Sequence, residues 1–404
     1  MVFFRPDRPG YGENPYPELE RLRRAEPVHW SANLGAWVLT RYAECEQVLL
    51  DAETFSADPA DEGGPAGERV AAHRAAMPLG DAPILGHEDG PDHARLRGVV
   101  NRAFGARAIA GRQRDIRAIV AELLGRAEPG RPFELMGGLA RPLAAITALQ
   151  HFGLPPARWE GFHAAALAVM RARVEGLSDP AAPAGAEAAA DYILEALDEA
   201  APAPGEDGST VASELARALD AGELSAAEAV MLLVHIGLAG NGPTAMALGH
   251  AVAALAAHPA AGEAMLRGDL APGAVVEETL RWDSPTHAVP RFALADVQVG
   301  GRRVRAGQRL LVMIGAANRD PERFAEPDRF DPWRREDRHL SFGVGKHYCL
   351  GAPLARAELA IALEELVRRF GVPRVVEAVR GGTLLVRGFE RLVIAPREPG
   401  ELEG

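Results

Sequence analysis

Apolar residues recur along this chain mainly at intervals of three and four, the period of a helix, and alternate only over short stretches. That spacing predicts helices over 17–25, 41–50, 92–104, 112–125 and 135–152. An alanine-rich helical stretch over 156–200 is broken at Asp179-Pro180 and Pro183. A long apolar helix runs over 226–258, interrupted by Gly237, Gly240, Gly242 and Pro243. Shorter helices are predicted over 275–282 and, after a glycine-rich loop, from Ala352 to Phe370. Strand-like pieces fall at 28–30 and 36–39. More follow Pro290, with turns at Gly300-Gly301 and Ala306-Gly307. Between 57 and 90 periodicity is weak, and 201–209 reads as a Pro/Gly/acidic linker. A loop as long as 57–90 is usually functional or disordered. The pattern as a whole predicts a mainly α fold with a small β-rich subregion.

Composition narrows the class. The chain has 404 residues, 48% of them hydrophobic, and a formal charge of −12. Length alone allows two or three domains; a single domain over 1–404 is the expectation here. The acid excess argues against nucleic-acid binding. Cys45 and Cys349 are the two cysteines, so there is no disulfide framework, which fits a reducing cytoplasm. Cys45, in a helical run, reads as core packing. The N-terminus has no apolar run long enough for a leader or anchor, and no membrane span is expected.

The chemistry concentrates in Phe342-Gly343-Val344-Gly345-Lys346-His347-Tyr348-Cys349-Leu350-Gly351. Its glycines imply a sharply turning backbone that lets something approach closely. Cys349 stands just before a helix, where amides and the helix dipole favour an anion. That setting is expected to lower the thiol pKa and supply a thiolate ligand. No second Cys or His lies at zinc spacing, so a one-thiolate site points to haem iron.

The order Phe-x-x-Gly-x-His-x-Cys-x-Gly resembles the haem-ligand loop of cytochromes P450. The resemblance extends over essentially the whole chain and to the bacterial type without a membrane tether. It implies the cytochrome P450 fold and haem b held through Cys349. Phe342, Gly343, His347 and Gly351 would surround the sulfur, with the amides of Leu350 and Gly351 facing it. Gly-Pro-Asp-His-x-Arg-Leu-Arg at 90–97 resembles the family's C helix, so His93 and Arg97 would bind haem propionates, as would Arg291. Glu278, Arg281 and Arg329, the last from Pro-Asp-Arg-Phe, would form a bracing triad, with Arg323 the alternative third member. The 57–90 segment and the 156–200 helices would cover the substrate pocket. His235, Leu238, Thr286, His287, Ala288, Val289 and Phe389 are the substrate-contact candidates. Phe389 belongs to the C-terminal hairpin, whose tip would enter the pocket.

One departure stands out. The family's long helix carries Ala-Gly-x-acid-Thr, but here Ala239-Gly240-Asn241 is followed by Gly242-Pro243-Thr244. Neither residue at the acid–alcohol positions can relay a proton, although cleaving dioxygen consumes two. Asn241 and Thr244, beside Gly240, are the candidates to take over, together with substrate hydroxyls. The resemblance implies O2- and reductant-dependent hydroxylation of a natural-product intermediate, free or carrier-bound. NAD(P)H electrons would arrive through a ferredoxin reductase and an acidic ferredoxin docking near Lys346 and Arg356. The missing pair leaves ring closure, aryl coupling, N-oxidation and peroxide-driven chemistry as alternatives. A non-catalytic haem protein is the reading from another class. A monomer is expected.

Overall fold

The computed structural model describes residues 3–8, 10–77, 79, 82–128, 130–175, 185–200, 210–335 and 338–397. The breaks expected at Asp179-Pro180 and Pro183, and the 201–209 linker, lie outside these residues.

The helices, in chain order, are α1 Tyr16–Ala25, α2 Tyr42–Leu50, α3 Pro65–Ala75, α4 Pro91–Asn101, α5 Ala106–Gly125, α6 Arg141–Phe152 and α7 Trp159–Glu175. After them come α8 Ala186–Ala200, α9 Val211–Asp220, α10 Ala226–Ala257, α11 Pro259–Arg267, α12 Pro272–Trp282, α13 Ile314–Ala317 and α14 Ala352–Phe370. The segment expected to be a long loop over 57–90 thus contains α3. Weak periodicity hid it: Gly67 and Arg74 are the buried residues on that helix.

α10 is the axis of the molecule. Ser225 caps it by accepting from the Glu228 amide, while the Glu228 carboxylate accepts from the Ser225 amide, a reciprocal capping box. Residues 229–234 and most of 247–255 are buried, whereas Ala239 and Gly240 face open space. Its length and hydropathy would suit a membrane span. It packs instead against α6, α12, α14 and the C-terminal hairpin. The helix runs unbroken through Pro243, which has no N–H for the carbonyl of residue 239.

The β1 Val28–Ser31, β2 Ala36–Leu39, β3 Phe55–Ser56, β5 Val289–Ala293 and β8 Arg309–Val312 strands form one sheet in the order β1-β2-β8-β5-β3. Its β2–β8 pair is parallel and its other pairs antiparallel. β6 Val297–Val299 pairs with β7 Arg302–Val304 around the expected Gly300-Gly301 turn. β9 Pro373–Gly382 and β10 Arg387–Pro396 form the C-terminal hairpin, with β4 Phe133–Glu134 on its edge.

Helix-side braces hold the Cys loop. Arg281 forks onto Glu278 (2.8 Å through both Nε and Nη2) and donates to the carbonyls of Asn318, Pro327 and Arg329. The expected third arginine is not Arg329. Its side chain is exposed and pairs with Glu326 (3.3 Å). The guanidinium beside Glu278 is that of Arg334, 3.6 Å away and buried. In Pro-Asp-Arg-Phe the backbone carbonyl, not the side chain, faces inward. Arg323 is not the third member either, since it lies over the rings of Tyr42 and Phe324.

Candidate functional site

The Cys loop takes its shape from two glycines with left-handed backbone, Gly343 (φ +67°) and Gly345 (φ +70°), where a side chain would be strained. The Cys349 amide donates to the Phe342 carbonyl at 2.8 Å and closes the turn. The amides of Gly351 and Ala352 face the sulfur, one residue further along than expected. Burial nevertheless pushes the Cys349 thiol up, outweighing those amides and the charges of Arg97 and Arg356. Helix-start amides alone therefore do not make the thiolate. A bound cation would do so.

α4 approaches this loop from the other side. Arg97 donates to the carbonyls of Lys346 (3.2 Å) and Tyr348 (2.7 Å), stitching helix to loop. The His93 ring meets the His347 ring edge-on at 4.9 Å. Burial, then the nearby His347 and Arg97 charges, hold His93 neutral with a pKa of about 4. His347 bonds Asp89 at 2.7 Å.

Two adjoining lobes open above the loop. One, of about 320 Å³, is lined among others by His93, Arg97, His235, Ala239, Gly240 and Cys349. The second, of about 350 Å³, adds Thr286, Phe342 and Gly343, and both share Thr244, Val289, Arg291, His347 and Gly351. Arg291 is buried, and its one hydrogen bond found is to the Pro290 carbonyl. Among the described residues no carboxylate pairs with it, so the cavity wall presents a buried cation in search of an anion.

Other expected contacts lie elsewhere. His287 is fully buried against Gly315 and edge-on to Tyr16 (6.0 Å), behind the sheet. Ala288 is buried beside it in the N-terminal cluster. The irregular turn ahead of β5 is the reason: Thr286, bridged to Val386, and Val289, the first residue of β5, reach the cavity while the two residues between them point away. Phe389 packs on His250 (5.6 Å) and under the Arg380 guanidinium, away from the lobes. The hairpin tip does not line them either: Val386 bridges Thr286, and the Leu385 carbonyl accepts from His287. Leu238 packs among the α7–α9 residues instead, and Asn241 is off the cavity wall, its Oδ1 buried without a partner.

Sequence reasoning missed Glu358, His151 and Gly86, which all line the first lobe. For Glu358 a signal existed. It lies three and four residues beyond Ala355 and Leu354, on the α14 face that both share with the cavity. A Cβ on Gly86 would stand 2.9 Å from the His235 ring, so the 82–90 segment passes directly over that histidine.

Among the described residues no cluster of three or more His, Cys, Asp or Glu could hold a bare metal ion. A metal bound here must bring most of its own ligands. One sulfur at the base of a divided cavity, an unpaired buried guanidinium, and Arg97 and two histidines on its rim fit a haem with its carboxylates. Fold and site together fit a haem protein with a cysteine sulfur at the base of its cavity.

The cytochrome P450 family profile matches residues 273–377. Erythromycin C-12 hydroxylase of Saccharopolyspora erythraea is 34% identical over 400 residues, covering 96% of this chain and 94% of that one. The crystal structure of CalO2 superposes with a TM-score of 0.84 at 32% identity, covering 98% of this chain and 99% of that one. CxnD, a P450 for C–S bond formation in chuangxinmycin biosynthesis, has a TM-score of 0.83 at 28% identity and covers 96% of each chain. The chain belongs to the cytochrome P450 family and has its fold.

Proposed function

We propose that this P450 monooxygenase oxidises a neutral or weakly charged natural-product intermediate, most simply by hydroxylation. The carrying observation is the geometry of the cavity. Cys349 lies at its base, Ala239, Gly240, Pro243 and Thr244 stand over it, and mostly apolar residues line it. When bound, haem would supply O2 activation, and Cys349 would hold it through its sulfur. Arg291, Arg97, His93 and His347 would hold its carboxylates, and Phe342 would pack beside the sulfur. Thr244 and Gly240 face the reacting region, and Thr286, Val289 and His235 orient the substrate. With the acid–alcohol positions occupied by Gly242 and Pro243, protons reach the site by another route.

Electrons come from a ferredoxin and its reductase, in the cytoplasm. Both charges expected to dock the ferredoxin are already engaged within the protein. Arg356 is neutralised by Glu277 (2.7 Å), and Lys346 is tied to the Asp89 carbonyl.

The test has two stages. Reduced protein with carbon monoxide should give the thiolate-type Soret band, and Cys349→Ala should abolish it. Candidate intermediates that shift the haem spectrum are then turned over, and one added oxygen in the product mass is the expected result. Loss of two hydrogens would favour the second reading, a bond-forming oxidation. The Gly242-Pro243 departure and the likeness to CxnD support that alternative.

A further inference from the structure

Behind the cavity, polar atoms accumulate that no protein group satisfies. On α6, Thr147 and His151 lie four apart on one face. The Thr147 Oγ1 and both His151 ring nitrogens are buried without hydrogen-bond partners. Opposite, on α10, the Asn241 Oδ1 is in the same state. Asn241 shares its face with Gly237, one turn earlier, where an added Cβ would touch Phe152 of α6 and Phe162 of α7 at 3.2 Å. That face therefore looks at α6. From α14, the buried Glu358 lines the same lobe as His151 and Thr244, and no ion pair or hydrogen bond to its carboxyl is found among the described residues.

His151 also has an outer side. Its neighbours Gln150 and Gly153 line a surface groove with Arg112 and Asp115 of α5, and the Arg112 charge reaches the imidazole. The Phe104 ring closes its flank at 4.6 Å.

Buried polar groups in native proteins are almost always satisfied, and internal water is the partner where protein supplies none. We propose that His151 and Glu358, with Thr147 and Asn241, hold a file of internal waters that passes protons from the Arg112–Gln150 groove to the cavity beside Thr244. The inference rests on the haem-thiolate reading of that cavity. It assigns a replacement for the acid–alcohol pair lost at Gly242-Pro243. Protonation states suit the role. Burial, with Arg112 adding to it, holds His151 neutral at about 4, so one ring nitrogen donates while the other accepts. Burial pushes Glu358 up to about 8, so it remains a neutral acid able to donate at pH 7. These side chains position water and are not in contact with the reacting atoms.

A high-resolution structure of the haem-loaded enzyme tests the waters directly. Ordered solvent bonded to His151, Thr147 and Asn241 is expected, and a dry α6–α10–α14 junction overturns the proposal. The second readout is how reductant is spent in air with a bacterial ferredoxin and reductase. One-electron reduction of O2 to superoxide takes up no proton, whereas two-electron reduction to H2O2 takes up two. His151→Phe and Glu358→Leu should raise the ratio of superoxide to peroxide, by up to about a hundredfold, the lower end of what a positioned proton donor contributes. His151→Gln and Glu358→Gln, which can still bond water, should stay near the parent ratio. Unchanged ratios in Phe and Leu variants that keep the carbon monoxide spectrum would refute the route. Neither readout needs the natural substrate, so failure to find a substrate would count against the proposed function alone.

Discussion

Replacing Glu278 by Gln tests the brace behind the Cys loop. The Glu278 carboxylate accepts two bonds from Arg281 at 2.8 Å and one from the Asp331 amide at 2.7 Å, with Arg334 Nε 3.6 Å away. Both partners of the central pair are nearly inaccessible, with side-chain exposures of 1% and 4%. Gln retains the shape but cancels the charge, and its NH2 cannot accept from a guanidinium. One of two charge-assisted bonds is lost outright and the other weakens, each of the order of 1.5–3 kcal/mol. The Arg281 charge is left buried, and breaking such a pair typically costs about 3–5 kcal/mol. Three backbone carbonyls still accept from Arg281, so the lower half of that range, about 3 kcal/mol, is expected. The assay is urea unfolding followed by far-UV circular dichroism, reading the midpoint at constant slope. Arg329→Gln, at the exposed position, should change stability by less than about 0.5 kcal/mol. A Glu278→Gln cost under about 1 kcal/mol, or an Arg329→Gln cost equal to it, would refute the assignment of the inward side chains.

Three further outcomes are expected. Glu358 has a folded-state pKa near 8, raised by burial, so the folded state binds the extra proton between the ordinary carboxylate range and pH 8. Stability should therefore fall as pH rises through that window, by at most about 1.4 kcal/mol per unit, and Glu358→Gln should remove the slope in pH-dependent urea titrations. Gly86→Ala places a methyl 2.9 Å from the His235 ring, so it should weaken substrate-induced spectral shifts while leaving the carbon monoxide spectrum unchanged. Gly315→Ala drives a Cβ to 2.4 Å from the His287 ring, and a loss of about 1–3 kcal/mol in thermal or urea unfolding is expected from overpacking.

Local signals were enough for the long helices and for the loop, though not for α3. Helical periodicity placed α10, α12 and α14 to within a few residues and the C-terminal ends of α5 and α6, whose starts at Ala106 and Arg141 lie away from the expected 112 and 135. Glycines at Gly343 and Gly345 announced a backbone no other residue adopts cheaply, and they framed Cys349 without reference to any other part of the chain. His93 and Arg97 were legible as a pair because one helical turn joins them.

Which side chains meet was decided only by the tertiary structure. Thr286 and Val289 reach the cavity while His287 and Ala288 turn their backs on it, because the irregular turn before β5 is shaped by its bridge to Val386 on the C-terminal hairpin. Arg334 rather than Arg329 faces Glu278 because the connecting turn aims a carbonyl, not a guanidinium, at Arg281. The orphaned atoms of Thr147, His151 and Asn241 reveal themselves only once α6 and α10 are packed together. Hydrogen-bond satisfaction depends on distances between segments far apart in sequence, and apolar periodicity carries no record of them.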